Sequence, residues 1–482
     1  MYLGIDIGTS GVKAVITDDA QTVLSQGHAP LTVQRPHPLW SEQDPDSWWE
    51  ATNAAVLSLP AGLRRDVTAI GLSGQMHGAT CLDSQGRPVR PAILWNDGRS
   101  GAQCAEMMAK MPELRAITGN LAMPGFTAPK LQWMRENEPE NFADTKTVLL
   151  PKDYVRFLMS GDYASDMSDS AGTLWMDVGA RDWSDEVLAL TGLSRANMPK
   201  LHEGSEATGT LSAEVAGDWG MARVPIAAGG GDNAAGAVGS GTVSPGEGFI
   251  SLGTSGVVFL TDDAFRPNTD GAVHTFCHAL PGLWHQMSVI LSAASAVDTV
   301  ARLTGHSDPG ALFDAVNTRA EVGTGALFLP YLSGERTPHN DPVATGAFFG
   351  LTHEDTPKTL AQAALEGVAF ALADGVDVLR DTGAAVGQLS LIGGGSRSDW
   401  WAKVIASAAD VPLAIREASA VGPAFGAARL ARLCLGESTV EEVCTAPPVL
   451  RTIEPDSKMR DHYGPRRKLF TRLYRATVAA RA

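Results

Sequence analysis

The chain has 482 residues, with 54 acidic against 38 basic side chains for a formal charge of −16, and is 44% hydrophobic and 19% charged. At ~100–200 residues per domain this length holds two or three domains, and the composition is that of an ordered globular protein. The acidity excludes a sequence-independent nucleic-acid binder and argues against docking on anionic lipid, since both need a basic surface.

In chain order, the first predicted element is a β-hairpin. Ile5-Asp6-Ile7 and Val12 to Ile16 alternate as strands do, around the turn Gly8-Thr9-Ser10-Gly11. A Gly-Thr-Ser-Gly turn is expected to use glycines at positive φ and to point several N–H and O–H donors at one spot, which suits a phosphate. The adjacent Asp6 supplies the carboxylate that a Mg²⁺ site needs. A plain structural turn is the competing reading of either hairpin alone.

Two strand ends with polar residues follow. Gly74-Gln75-Met76-His77-Gly78 comes after the apolar Ala69 to Leu72, and Trp95-Asn96-Asp97-Gly98-Arg99 after Ala92 to Leu94. Trp, Asn, His and Gln are the side chains that hold a polyol, a ring against C–H faces and amides against hydroxyls. A single His is equally a structural residue. Further on, Gly229-Gly230-Gly231-Asp232-Asn233 follows the apolar run from Val224. Asp232 reads as a base set against a reacting hydroxyl, or as the cap of a helix starting at Asn233.

About half a chain after the first hairpin the turn recurs as Gly253-Thr254-Ser255-Gly256, again between strand-like flanks, with Ser251 where Asp6 stood and Val258 where Lys13 stood. Matching position and flanks indicate an internal duplication, with a loop-rich seam around residues 227–248 and the domain boundary near residue 242. Beyond it, His274, His278 and His285 are separated by Pro281 and are not read as a metal site. Leu360 to Leu379 has helical spacing, with Gly383 as a stop. The strand Leu389 to Ile392, the loop Gly393-Gly394-Gly395, a helix from about Ser398 to Ala409 and a strand at 411–415 form a place where a nucleotide approaches backbone and helix N-terminus. The basic tail Arg466-Arg467-Lys468, Arg472 and Arg475 reads as a terminal helix docked on the body in preference to a membrane-surface helix.

Five scattered cysteines without a C-x-x-C pair suggest neither a disulfide framework nor zinc, and the first residues, running into Leu3-Gly4-Ile5-Asp6, show neither a basic n-region nor an apolar h-region. The stretch 271–297 is too interrupted to span a bilayer. The expected compartment is the cytoplasm. No lysine follows a glycine anywhere, so there is no P-loop.

Taken together, the stretch from Gly4 to Ser10, the second Gly-Thr-Ser-Gly, Gly229 to Gly236 and the Gly393 to Gly395 loop resemble the FGGY carbohydrate kinases. That family lies in the actin/hexokinase/heat-shock-chaperone superfamily. Gly125 to Met134 is similar to the family's first signature, and Gly346 to Leu351 to its second, although Thr359 stands where that pattern has an acidic, amide or His side chain. Within the family, Gln75-Met76-His77-Gly78, Arg35 to Pro45 and Trp95 to Arg99 resemble bacterial members acting on D-xylulose. Glycerol-specific members carry Arg-Glu in place of Met76-His77.

The resemblance covers essentially the whole chain. It implies an α/β fold of two duplicated RNase H-like (actin/hexokinase-type) domains with a cleft between them. Residues 1–242 would carry the sugar site and the Mg²⁺/phosphate hairpin, and 243–482 the nucleotide site. It implies ATP-dependent phosphorylation of D-xylulose at its 5-hydroxyl, with ATP and Mg²⁺ and no nucleic-acid or membrane partner; a homodimer is left open. Asp232 would be the base, and Asp6 would organise Mg²⁺ through water. Met76, His77, Asn96, Asp232 and Asn233 would hold the sugar. Thr9, Ser10, Gly253 and Thr254 would meet the phosphates, with Gly394, Gly395 and Asp399 bordering the adenosine. The alternatives are another ketose such as ribulose, a sugar-independent ATPase of the actin or chaperone kind, and a sugar-binding module without transfer chemistry.

Overall fold

The alternating residues around the first turn form two antiparallel strands, β1 (Tyr2–Ile7) and β2 (Gly11–Thr17), continued by β3 (Val23–Pro30). The structure, a computed structural model, describes residues 1–317, 325–417 and 422–481. The first sheet is completed by β4 (Ala69–Gly74), β5 (Ala207–Thr210), β6 (Pro225–Ala227) and β7 (Gly230–Gly231). Its order is β5-β6-β4-β1-β2-β3, and β7 pairs with the end of β4. The second sheet contains β8 (Gly248–Leu252), β9 (Gly256–Asp262), β10 (His274–Cys277), β11 (Trp284–Ile290), β12 (Leu389–Gly393), β13 (Leu413–Arg416) and β14 (Val449–Ile453). Its order is β10-β11-β9-β8-β12-β13-β14.

The two sheets repeat one plan. In each, the hairpin is extended by a third antiparallel strand on one side, and a strand parallel to the first hairpin strand lies on the other. The parallel strands continue outward to an antiparallel edge strand. This is the duplication expected from the repeated turn.

Two details of the hairpins differ from the sequence expectation. None of Gly8, Gly11, Gly253 and Gly256 has positive φ. Gly11 and Gly256 are required by crowding instead: a Cβ at Gly11 would lie 2.7 Å from the Ala29 carbonyl oxygen, and one at Gly256 2.7 Å from Ile290. The turns also differ in length. The first closes by Gly8 N–H to the Gly11 carbonyl (3.0 Å), the second by Gly253 N–H to the Ser255 carbonyl (3.1 Å). Ile7 therefore pairs with Val12 but Leu252 with Gly256, so Val257, and not Val258, occupies the place of Lys13. A one-residue change of register turns side chains to the opposite face, and sequence alignment alone does not report it.

Among the helices that build the cores and the site are α1 (Pro45–Leu57), α2 (Thr127–Asn137), α3 (Asp232–Ser240), α4 (Pro357–Arg380), α5 (Asp399–Ala409), α6 (Pro423–Leu433) and α7 (Ser457–Arg481). Leu3, Ile5, Val12 and Ile16 are buried against Trp48, Ala55 and Val56 of α1. In the second half Ile250, Leu252, Val258 and Leu260 share a core with Val368, Leu372 and Val376 of α4. Each buried Val, Leu or Ile among them contributes about 1.5–3 kcal/mol by leaving water. Helix α4 starts on a capping box in which the Thr356 N–H donates to Thr359 Oγ1 (2.8 Å) and the Thr359 N–H to Thr356 Oγ1 (3.4 Å). Thr359, the departure from the family pattern, thus supplies the oxygen that a Glu or Gln gives at this position.

The basic tail docks on the body. Tyr463 and Phe470 of α7 are buried, Arg466 pairs with Glu366 (3.1 Å), and Arg467 reaches Asp374 (2.7 Å) and Asp377 (2.6 Å) on α4. Among the described residues no helix is long and apolar enough to cross a membrane.

Helices α3 and α6 hold equivalent places in the two repeats and cross each other between the sheets. A Cβ at Gly426 of α6 would lie 1.8 Å from the Ala235 carbonyl oxygen of α3. Although late in the chain, α6 lies on the first sheet, where a Cβ at Gly4 or Gly71 would come within 1.9–2.0 Å of its carbonyls at Ala424 and Ala427. Backbone meets backbone at this crossing, and neither side can yield by changing rotamer. Gly426→Ala is accordingly expected to cost about 1–3 kcal/mol of stability, read as a lower urea midpoint at unchanged slope.

Candidate active site

A cavity of about 280 Å³ opens between the halves. Its first wall includes Met76, His77, Trp95, Phe126, Asp232 and Asn233; Ser255, Val257, His274, Phe276 and Arg336 lie on the second. Four of the residues expected to hold sugar (Met76, His77, Asp232 and Asn233) are thereby brought together from sequence positions far apart.

Asp232 is delivered by β7. Gly231 pairs with Gly74 at the end of β4, and Asp232 is the first residue of α3. The glycines before it are needed here: Gly229 has φ +89°, and a Cβ on it would meet the Leu72 carbonyl at 2.1 Å. The cap of α3 is Gly231, which rules out the capping reading of Asp232. Asp232 Oδ1 instead accepts from the backbone N–H (2.7 Å) and the side-chain amide (2.9 Å) of Asn233. Burial raises the Asp232 carboxyl to about 6 despite these donors. Asp6, on β1, is raised to about 7, first by burial and then by the charge of Asp232, and its Oδ1 is buried without a hydrogen-bond partner. Two repelling carboxylates, one with an orphaned oxygen, form an environment that a divalent cation relieves.

His77 sits at φ +69°, an expensive conformation for a non-glycine residue. Its carbonyl accepts from Lys130 Nζ (2.8 Å) and Thr127 Oγ1 (3.1 Å), and its Nδ1 lies 2.6 Å from the Gly172 carbonyl. A carbonyl only accepts, so Nδ1 carries the proton and Nε2 keeps its lone pair. Burial, followed by the nearby Lys130 charge, drives the His77 pKa down to about 3, so the ring is neutral. Lys130 belongs to the first signature segment on α2 and is fully buried, with its own pKa lowered to about 7 by burial. The sequence reading included Lys130 in a motif without giving it a role. Its signal was a lysine within the mostly apolar run Ala128-Pro129-Lys130-Leu131 of the signature segment. Lys130→Met is expected to raise the KM for sugar about tenfold, since the strained His77 peptide loses a charged donor; a KM unchanged in steady-state assays would contradict this.

Other expected residues are disposed differently. The Thr9 hydroxyl is already engaged, accepting from Trp95 Nε1 (3.0 Å) and donating to Gln75 Oε1 (2.9 Å). Ser10 is exposed on its turn, as are Gly253 and Thr254 on the other. Asn96 does not line the cavity; its neighbour Trp95 does. Asp97 and Arg99 of the same loop form an internal ion pair at 2.7 Å, with Arg99 stacked 3.6 Å over Trp40. Gly394 and Gly395 continue β12 past Gly393, which pairs with Leu252, so they stand beside the second turn. They occupy in the second repeat the place that Gln75 and Met76 occupy in the first, after Gly74 pairs with Ile7. Asp399 begins α5, is exposed, and pairs with Arg451. His274, His278 and His285 lie on or next to the paired strands β10 and β11, and His285 stacks on Phe259 at 4.6 Å.

The same architecture is found in known proteins. The N-terminal domain of the FGGY family of carbohydrate kinases matches residues 1–239 and its C-terminal domain residues 248–433. A xylulose kinase of Escherichia coli (strain K12) is 53% identical over 476 residues, covering 98% of both chains, and one of Klebsiella pneumoniae is 50% identical over the same share. Among solved structures, a xyloylose kinase from Brucella ovis superposes with a TM-score of 0.96 at 51% identity, covering 99% of each chain. A xylulose kinase from Rhodospirillum rubrum gives 0.93 at 28%, again over 99% of each. With both domains matched and near-complete coverage by relatives of this similarity, the chain belongs to the FGGY family of carbohydrate kinases.

Proposed function

We propose that the protein transfers the terminal phosphoryl group of ATP to the 5-hydroxyl of D-xylulose, giving D-xylulose 5-phosphate. The observation that carries this is the meeting, in one cleft, of Asp232 with Met76 and the neutral His77, with Asp6 near enough for its charge to be felt against that of Asp232. The high identity to xylulose kinases over the full length supports the choice of sugar. As a compartment we assign the cytoplasm, in keeping with five free cysteines.

In this mechanism Asp232 accepts a hydrogen bond from the 5-hydroxyl and aims its oxygen at the phosphorus. A carboxylate cannot deprotonate an alcohol in advance, but in a loose phosphoryl-transfer transition state the proton leaves late, and Asp232 takes it then. Asn233 holds the carboxylate in place, and His77 Nε2 accepts from a second sugar hydroxyl. Asp6, with its orphaned Oδ1, would hold a hydrated Mg²⁺. That ion would supply neutralisation of charge on the β- and γ-phosphates. Ser10 and the backbone of the Thr9 turn would meet the phosphates from one side and Gly253 and Thr254 from the other, with Gly394, Gly395 and Asp399 along the nucleoside. Approach of the two walls would exclude water and suppress hydrolysis of ATP.

The test is coupled ADP release with xylulose, ribulose, glycerol and gluconate side by side. Xylulose is expected to give the highest kcat/KM. Release at the same rate without sugar would favour the actin-type ATPase reading, and a higher kcat/KM with ribulose would reassign the substrate.

A further inference from the structure

Arg336, on the wall facing His77, has no part in the chemistry above. Its position is tightly specified. Nη1 lies 3.2 Å from His274 Nε2, and His274 Nδ1 lies 3.1 Å from Asn120 Oδ1. The Asn120 amide nitrogen donates to the carbonyls of Thr118 (2.8 Å) and Thr275 (2.9 Å), so its oxygen is the acceptor toward His274. His274 therefore carries its proton on Nδ1 and turns the Nε2 lone pair to Arg336. His274 and Asn120 are both buried, and Asn120 comes from the first half of the chain while His274 and Arg336 come from the second. A guanidinium has five N–H donors, and this relay uses one.

The substrate's chemistry states what the others are for. A 2-ketopentose closes its five-membered ring through O5. If the 5-hydroxyl is the acceptor, the reactive sugar is the open chain with a free carbonyl at C2. That oxygen only accepts hydrogen bonds, and leaving it dry and unpaired is costly. Few side chains lining the cavity can donate to it. His77 offers a lone pair and Asp232 a carboxylate, Trp95 spends its N–H on Thr9, Asn233 is turned to Asp232, and Ser255 belongs to the phosphate turn. The Arg336 charge weighs on His77 and on His274, but is not among the influences on Asp232, as befits a group at the end of the sugar away from the reacting hydroxyl.

Building on the proposed function, we infer that Arg336, aimed by His274 and Asn120, donates to the carbonyl oxygen of the open-chain ketose and sets a preference for ketoses over polyols. A polyol offers a tetrahedral C–OH there, whose own hydrogen finds no acceptor on a guanidinium.

The experiment compares wild type, Arg336→Gln and Arg336→Lys on D-xylulose and on its two reduced forms, xylitol and D-arabitol, using inhibition constants where a polyol turns over too slowly. Arg336→Gln is expected to lower kcat/KM for xylulose at least tenfold, mainly through KM, because the contact exists in ground and transition states alike. The polyols should change less than threefold, so the ketose/polyol ratio falls at least about threefold. A smaller fall in that ratio, or equal losses on all three sugars, overturns the inference, the latter assigning Arg336 to the phosphates or to folding. Should Arg336→Gln not fold, Arg336→Lys and His274→Gln carry the same test, each expected to shrink the ratio while Tm is retained. A wild type inactive on xylulose removes the proposed function, and this inference with it; a wild type active on xylulose with an unshifted Arg336→Gln removes the inference alone.

Discussion

Asp232→Asn is expected to lower sugar-dependent ADP formation by about 10²–10⁴-fold, the range in which positioned acid–base groups act, while leaving the protein at least as stable. The first part follows from where β7 and α3 put the carboxylate, at the cavity beside His77 with one oxygen held by Asn233. The second follows from its titration. The group is raised from the ordinary 3.8 to about 6 by burial, so ionising it costs the folded state. Relative to high pH, that stability is fully present below 3.8 and is lost as pH rises through 6. The amide carries no such penalty, so the Tm of the variant should match wild type near pH 4 and equal or exceed it at pH 7.5. Steady-state kinetics with thermal unfolding at both pH values check the pair of claims. Retention of most of the activity would take Asp232 out of the reaction.

Asp6→Asn should reduce kcat by at least about 10²-fold through loss of electrostatic organisation at the phosphates, and should also remove a Mg²⁺ response. Asp6 is raised to about 7, so its stability contribution is present below 3.8 and lost as pH rises through 7. On the proposed mechanism Mg²⁺ would bind the folded state with both carboxylates ionised, so added Mg²⁺ should raise Tm, and more at pH 8 than at pH 6. The variant should lose most of that rise. A Tm response to Mg²⁺ identical in the two proteins would place the cation elsewhere. The second repeat carries Ser251 at the equivalent position, which makes the two turns chemically unequal although they share a fold.

How much of this was legible in the sequence depends on how local each feature is. The two hairpins, α4 with its stop, the strand–glycine–helix unit from Leu389 and the docked basic tail were all readable, because alternation, helical spacing and turn residues act over a few positions. The duplication was readable because both copies keep the same turn. Asp232 stood out by its glycines, Asp6 by its place before the turn, and Met76 and His77 by ending a strand.

What the sequence left undetermined depends on residues far apart in the chain. The glycines of the turns serve close approach of Ala29 and Ile290 and not a left-handed backbone, and that crowding arises only when the third strands of the two sheets pair. The register difference that puts Val257 in Lys13's place is set by one hydrogen bond in each turn. Thr9 is occupied by Gln75 and Trp95, from two other strand ends. Lys130 is tied to the His77 peptide, and Arg336 through His274 to Asn120. The sequence by itself determined the repeated unit and the chemical class, because local pattern and residue type suffice for those. Only the tertiary structure decided which donors and lone pairs face the cavity, because the direction of a hydrogen bond in a dry cleft is set by partners that folding brings from across the chain.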